Sequence, residues 1–275
     1  MKLLNDELKA KIQRDIIVNI LQKKYDSAIT HVPAILKELY DSIPDNKRIS
    51  FGRVYAIQEL SKHLFSSFVE ANAEVYEVGS ALFEQSSDFR SKGVALGVLS
   101  FYGIDDYARV LPFFKSSASS HSWDMREFAQ MFFRKLIQRN PTETKEFLLK
   151  LAVSKDANTR RFVAETLRPV KENKWFYTYP DYPLSILRRL FGESSAYPRT
   201  SVGNNLSDLA RHLPELVFGL VKELVESGDC NSYWIAYRAC RNLVKKEPAR
   251  VMNLLRVDEY KYKQKVYRRS DYPRD

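Results

Sequence analysis

Residues 141–151, PTETKEFLLKL, begin with a proline and continue as an amphipathic helix, and three later stretches repeat this pattern. They are PLSILRRLF from Pro183, PELVFGLVKEL from Pro214 and PARVMNLLRV from Pro248. Proline suits the first position of a helix because its missing N–H would have no partner there. The four prolines therefore mark the starts of second helices in units of roughly 31–42 residues, a period typical of HEAT-like helix pairs.

The rest of the chain also has helical periodicity. In the first half the pattern predicts helices over 5–24, 31–42, 50–69, 71–85, 90–101 and 106–116. In the second half it predicts the first helix of each unit over 123–139, 156–168, 198–211 and 232–246, with 171–182 as a loop. Ser122 or Asp124 is expected to cap the helix over 123–139. No strand is predicted, so the expected fold class is all-α, a HEAT-like helical-repeat solenoid forming a curved α-α superhelix.

Composition indicates a single helical domain over 1–255, followed by a basic tail over 256–275. The chain has 275 residues, of which 44% are hydrophobic and 9 are glycine. It contains no run of about 18 apolar residues and no secretory leader, so we expect a cytoplasmic protein without a membrane segment. Cys230 and Cys240 stand outside any CxxC motif and no histidines cluster, so reduced thiols are expected, and neither a metal nor a cofactor. The tail stretch KYKQKVYRR, 261–269, is interpreted either as a DNA contact or as a solvated end.

The net charge of +10 and the isoelectric point near 9.4 favour a polyanionic partner. Each phosphate that a lysine or arginine neutralises releases a counterion, which drives binding to nucleic acid. The same charge also serves generic solubility, so basicity alone does not decide between the two.

Charge replaces apolar residues on one face of three successive first helices. Arg161, Glu165 and Arg168 follow i, i+4, i+7 spacing and therefore share a face. The next two units repeat such a face with Asn204, Asp208 and Arg211, and then with Arg238, Arg241 and Lys245. A solvated helix face explains any one of these stripes. Their coincidence in neighbouring repeats favours a functional surface.

The carboxylates on these basic helix faces require an explanation, because a negative charge weakens phosphate binding. One interpretation is structural, in which Glu165 orients its neighbouring arginines. The other is chemical, since a carboxylate stabilises a cationic transition state such as the oxocarbenium sugar formed when a glycosidic bond breaks. Trp123 and Glu127 also lie four residues apart, and their spacing leaves open whether Trp123 is a core residue or projects beside Glu127.

Four ordered segments at these residues resemble the AlkC and AlkD superfamily of DNA alkylation repair glycosylases, which are built from HEAT-like repeats. The similar segments are WDMREFA at 123–129, RRFVAETLRP at 160–169, SVGNNLSDLA at 201–210 and WIAYRACRNLVKK at 234–246. The resemblance covers about residues 30–255 and favours the AlkC branch.

The resemblance implies a monofunctional glycosylase of base excision repair, using no metal or cofactor. It implies excision of cationic bases of the 3-methyladenine or 3-methylcytosine kind from duplex DNA by hydrolysis of the N-glycosidic bond, by a protein expected to be a monomer. Glu165 and Glu127 are implied as the catalytic carboxylates, with Asp208 as a third, and Trp123 would face the sugar or base. The expected DNA- and lesion-binding residues are Trp123, Arg126, Arg160, Arg161, Arg168, Asn204, Arg211, Arg238, Arg241 and Lys245.

The sequence also departs from the family pattern. Thr166 replaces a glycine, Val170 and Lys171 stand where an arginine and a nearby tryptophan are expected, and Tyr237 replaces a histidine. A non-catalytic DNA-structure-binding protein of the same fold, or a protein-interaction scaffold that recognises an acidic peptide, is therefore kept as an alternative.

Overall fold

The computed structural model describes residues 3–261, and these residues form helices joined by turns. No strand occurs among them, which confirms the all-α class. The predicted tail lies largely beyond them, since 262–275 fall outside the described residues. The contacts divide the chain into two compact units, residues 1–140 and 141–275. The single domain expected over 1–255 stays a prediction.

The first unit contains eight α-helices in the part of it that the structure describes. They are α1 (Asp6–Ile12), α2 (Val18–Leu21), α3 (Tyr25–Asp41), α4 (Asp45–Glu70), α5 (Val75–Gln85), α6 (Phe89–Tyr102), α7 (Tyr107–Ala118) and α8 (Trp123–Arg139). A π-helical turn, Gln13–Ile17, joins α1 to α2, so the predicted helix over 5–24 is nearly continuous. The helices predicted from 31 and from 50 begin earlier than expected, as α3 and α4.

The second unit contains seven α-helices in the part that the structure describes, and the last six form three pairs at the predicted period. They are α9 (Pro141–Ala152), α10 (Ala157–Thr166), α11 (Asp181–Leu187), α12 (Ala196–Leu209), α13 (Pro214–Glu226), α14 (Cys230–Ala239) and α15 (Pro248–Leu255). Two 3₁₀ helices, Lys171–Tyr177 and Arg188–Leu190, flank α11.

The predicted helix starts are largely confirmed. Pro141, Pro214 and Pro248 are each the first residue of a helix. The prediction for Pro183 is wrong by two residues, because Asp181 begins α11. Pro183 still lies in the first turn, where backbone N–H groups have no partner within the helix, so the missing N–H of proline costs no hydrogen bond. Ser122, and not Asp124, caps α8, and its Oγ accepts a hydrogen bond from the backbone N–H at position 125.

The prediction of a loop over 171–182 is wrong. This segment forms the 3₁₀ helix Lys171–Tyr177 and then begins α11. Phe176 is fully buried, and its ring lies near those of Trp175 and Tyr182, with centroid separations of 4.5 and 5.7 Å. Tertiary packing of these aromatic rings, and not local periodicity, orders the segment.

Helix α12 lies between α10 and α14, and small residues set the spacing. Val163, Val202 and Ile235, one from each helix, are completely buried and each contributes about 1.5–3 kcal/mol. Gly203 faces α14 so closely that an added Cβ would lie 2.8 Å from Cβ of Arg238. The side chains on one edge of these three helices are therefore held close together.

Within residues 3–261, every helix is too short or too polar to cross a membrane.

Candidate nucleic-acid interface

Glu165 lies near the end of α10 and is almost entirely buried, with 6% of its surface exposed. Arg161, one turn earlier and also buried, places Nη2 3.9 Å from Glu165 Oε1. Arg168, just beyond the end of α10, donates from Nη1 to Glu165 Oε2 at 3.3 Å. A buried carboxylate is costly unless it is paired, and the two guanidinium groups offset that cost.

Arg168 also connects α10 to α12. Its Nη2 and Nε donate to Asp208 Oδ2 at 2.6 and 3.1 Å. Asp208 Oδ1 lies 3.4 Å from Nη2 of Arg211. Burial alone would lower the pKa of Arg168, but the hydrogen bond and charge of Asp208, together with Glu165, raise it above its usual value. Arg168 is thus a permanent cation shared by two carboxylates.

Asn204 makes the corresponding connection from α12 to α14. Its Oδ1 accepts hydrogen bonds from Arg238 Nε at 2.8 Å and from Arg241 Nη1 at 3.0 Å. Asn204 and Asp208 are four residues apart on α12 and therefore share its face. Lys245 lies in the turns that follow α14, and its Nζ contacts Oδ1 of Asn242 at 3.4 Å.

The structure thus brings together most of the predicted charged residues of the second unit. We call this set the polar stripe: Arg161, Glu165, Arg168, Asn204, Asp208, Arg211, Arg238 and Arg241. It contains five guanidinium groups and two carboxylates, so it is cationic overall. Such a surface attracts phosphate, while the carboxylates keep the arginines oriented.

Arg126 and Arg160 lie in equivalent places and hold loops. Arg126 Nη1 donates to the carbonyl oxygens of residues 120 and 121 at 2.6 and 3.0 Å. Arg160 Nη1 donates to those of residues 154 and 155 at 2.8 and 3.0 Å, and its guanidinium also pairs with the buried Glu193. In both cases the acceptors lie six and five residues earlier in the chain. This geometry favours a structural role for both arginines, and their predicted contact with DNA stays a prediction.

Trp123 is not a core residue. It is the first residue of α8, and 57% of its surface is exposed. Glu127, one turn later and half-buried, accepts a hydrogen bond from Gln130. The first unit therefore has an exposed indole and a carboxylate four residues apart on the same helix, which is one of the two interpretations that the sequence left open.

Aromatic rings accompany the arginines of the polar stripe, and sequence reasoning missed this. Arg161 stacks on Tyr197, with its Cζ 4.4 Å from the ring centroid. Arg199 and Arg238 lie over the ring of Trp234 at 4.9 and 5.5 Å. Stacking of this kind keeps a guanidinium plane oriented. Trp234 and Arg238 are four residues apart on α14, a spacing that helical periodicity shows. The other two pairs join different repeats, so no local sequence signal predicts them.

Tyr237, at the position of the family histidine, holds the end of the described chain. Its hydroxyl accepts a hydrogen bond from the backbone N–H of Lys261 at 2.7 Å, and its carbonyl accepts one from the hydroxyl of Tyr260 at 2.8 Å. The two tyrosine rings stack at 4.4 Å. This gives Tyr237 a structural role.

The segment Lys171–Tyr177 contains two further residues that sequence reasoning missed. Asn173 is completely buried. Burial raises the pKa of Tyr177, and the nearby charge of Asp208 raises it further. Tyr177 therefore lies beside the polar stripe. A buried asparagine among polar and aromatic residues has no distinctive sequence pattern.

The chain is similar in fold to solved structures, although no known protein family and no curated protein matches its sequence. AlkD2 from Streptococcus mutans has a TM-score of 0.54 at 19% identity, covering 67% of this chain and 88% of its own. Pseudomonas fluorescens alkylpurine DNA glycosylase AlkC, bound to DNA containing an abasic site analog, has a TM-score of 0.58 at 21% identity, covering 90% and 68%. The protein smu.31 from Streptococcus mutans UA159 has a TM-score of 0.53 at 18% identity, covering 68% and 92%.

This chain has the HEAT-like helical fold of these structures, as the resemblance in its sequence implies for the fold. Of the three, the AlkC complex gives the highest TM-score and covers the largest share of this chain.

Proposed function

We propose that this chain is a DNA glycosylase of base excision repair that removes cationic alkylated bases, of the 3-methyladenine or 3-methylcytosine kind, from duplex DNA. The observation that carries the proposal is the buried Glu165 between Arg161 and Arg168. A carboxylate at that position would stabilise a cationic transition state, and the surrounding arginines would bind the DNA phosphates that flank the reacting sugar.

The reaction needs no acid. Alkylation gives the base a positive charge, so the C1′–N bond breaks with its electron pair going to the base, which leaves as a neutral molecule. The sugar becomes an oxocarbenium ion, which a carboxylate stabilises. Water then bonds to C1′ and gives up a proton, leaving an abasic site. Glu165 is the proposed stabilising carboxylate, and Glu127 has the same proposed role in the first unit, beside the exposed ring of Trp123.

Phosphate binding would also change the environment of Glu165. In the unbound protein both oxygens of Glu165 contact arginines. A DNA phosphate competes for Arg161 and Arg168, because charge-assisted hydrogen bonds to phosphate are strong. Glu165 would then be less neutralised and would interact more strongly with the sugar cation.

The remaining polar residues are proposed to bind DNA phosphates or to orient the side chains that do so. Arg211, Arg238, Arg241 and Lys245 are proposed phosphate contacts, and Asn204 fixes two of them. Asp208 was implied as a third catalytic carboxylate. Its contacts with Arg168 and Arg211 favour an organising role within the stripe. We further propose that the protein acts as a monomer on chromosomal DNA in the cytoplasm.

A non-catalytic DNA-binding function is the second candidate. The observation that favours it is the same ion-pair network, because a carboxylate engaged by two arginines also serves a rigid binding surface. In that case loss of the Glu165 charge changes only affinity.

The test is release of free base from methylated duplex DNA, with the products resolved by chromatography. We expect the wild type to release a 3-methylated base and Glu165→Gln to release none, while Glu165→Gln binds DNA at least as tightly because a negative charge is lost. Glu223→Gln is the control for loss of one negative charge, since Glu223 is also paired with an arginine but is exposed and lies on α13. Retained excision in Glu165→Gln and Glu127→Gln alike contradicts the assignment of these carboxylates. Binding without release by any variant supports the second candidate.

A further inference from the structure

Asn173 bridges the end of α10. Its Nδ2 donates to the carbonyl oxygens of Thr166 at 2.8 Å and Arg168 at 2.9 Å. Because both partners are acceptors, only the amide nitrogen fits this position. Asn173 has no exposed surface, so water does not compete for these bonds.

One of the carbonyls that Asn173 holds belongs to Arg168, the arginine that contacts both Glu165 and Asp208. The carbonyl of Arg168 also accepts from the N–H of Val170 at 2.8 Å, and its own N–H donates to the carbonyl of Glu165 at 3.3 Å. The hydroxyl of Tyr177 donates to the carbonyl of Pro169 at 3.1 Å. The 3₁₀ helix therefore fixes the backbone from which the Arg168 side chain reaches Glu165 and Asp208.

We propose that Asn173 is a positioning residue for Glu165 and acts through Arg168. The inference deepens the proposed glycosylase function and rests on it. Arg168 contacts Glu165 and Asp208 at once, so a small shift of its backbone disturbs both contacts. A misplacement of about 1 Å in a reacting constellation costs on the order of 100-fold in rate.

Ser232 provides a control. It is also buried, and its Oγ donates to the carbonyl of Phe191 at 2.9 Å, away from Glu165 and from the Arg168 backbone. Under single-turnover conditions we expect Asn173→Ala to slow base release by on the order of 10–100-fold. Its Kd for undamaged duplex should rise by less than the rate falls, because Arg168 is one of several proposed phosphate contacts, whereas the effect on Glu165 concerns the transition state. Ser232→Ala should release base within about threefold of wild type.

A double mutant separates positioning from general destabilisation. If Asn173 acts through Arg168, adding Asn173→Ala to Arg168→Gln should cost little further rate, because the two changes remove one interaction. A full additional loss in the Arg168→Gln background overturns the proposal, and so does a wild-type rate in Asn173→Ala.

A spectroscopic readout makes the test independent of catalysis. Arg168 Nε donates to Asp208 Oδ2, so its Nε–H should give a protected NMR resonance, assigned by its absence in Arg168→Gln. We expect Asn173→Ala to shift or broaden this resonance and Ser232→Ala to leave it in place. An unchanged resonance in Asn173→Ala overturns the positioning role even if wild type releases no base, which is the separate failure of the proposed function. Tyr177→Phe, which removes one hydroxyl from the same segment, replaces Asn173→Ala if the latter does not fold.

Discussion

Replacing Gly203 with alanine tests whether the polar stripe depends on the close approach of α12 and α14. The new methyl would lie 2.8 Å from Cβ of Arg238, whereas ordinary contact begins at 3.4 Å. The neighbouring atom is the root of the arginine side chain and not its flexible end. The backbone of α14 must therefore move.

The magnitude follows from two opposing effects. Alanine is favoured over glycine inside a helix by about 1 kcal/mol. Overpacking of a tight contact costs about 1–3 kcal/mol. Gly203→Ala is therefore expected to lower the free energy of unfolding by up to about 2 kcal/mol. Gly219 is the control, because it lies in α13 with nothing within 4 Å of an added Cβ. Gly219→Ala should raise the free energy of unfolding by about 1 kcal/mol.

Urea denaturation of the two variants measures this difference, expected to be about 1–3 kcal/mol. Affinity for undamaged duplex should also fall in Gly203→Ala and not in Gly219→Ala, because Arg238 and Arg241 would be displaced. Equal stability of the two variants would refute the argument that Gly203 sets the spacing of these helices.

Three further predictions concern acid, thiols and fluorescence. Burial raises the pKa of Glu193, but its bonds with Arg160 lower it overall below the usual value. The Arg160–Glu193 pair stabilises the folded protein fully at pH values above the ordinary pKa of the Glu193 carboxyl, about 4.5. This stabilisation is lost as the pH falls through the lower pKa that Glu193 has in the folded protein. The Tm of Glu193→Gln should therefore fall less steeply with acid than that of wild type, and parallel curves would contradict this. Burial raises the pKa of the Cys240 thiol to about 12, so at pH 8 iodoacetamide should modify Cys230 and reach Cys240 only in denaturant. Native modification at both thiols, detected by mass spectrometry, argues against the buried position. Iodide should quench the fluorescence of exposed Trp123, and Trp123→Phe should remove most of that quenching. Undiminished quenching in Trp123→Phe would contradict this prediction.

The sequence predicts best what local geometry controls. Helix α8 has the predicted bounds, 123–139, because a serine cap and a regular apolar period define them. The shared face of Arg161, Glu165 and Arg168 follows from helical spacing in the same way.

Features that depend on packing between helices are not predicted. Arg168 binds Asp208, which lies 40 residues later in the sequence, and no local sequence pattern predicts this pair. The 3₁₀ helix over 171–177 is ordered by burial of Phe176 and Asn173, which local periodicity does not show. The predicted helix over 232–246 ends at Ala239 and continues as turns, although its periodicity continues further. Tertiary contacts, and not propensity, decide these positions.

The arginines that hold loops have a consequence for how such a repeat protein can diverge. Arg126 and Arg160 bind main-chain oxygens, which every amino acid carries. Side chains in the two loops can therefore be replaced freely without loss of the anchoring bond, while the arginine itself cannot. A basic residue in the first turn of such a unit is accordingly a marker of repeat register, and because its carbonyl partners are neutral it keeps its charge while the loop fixes its position.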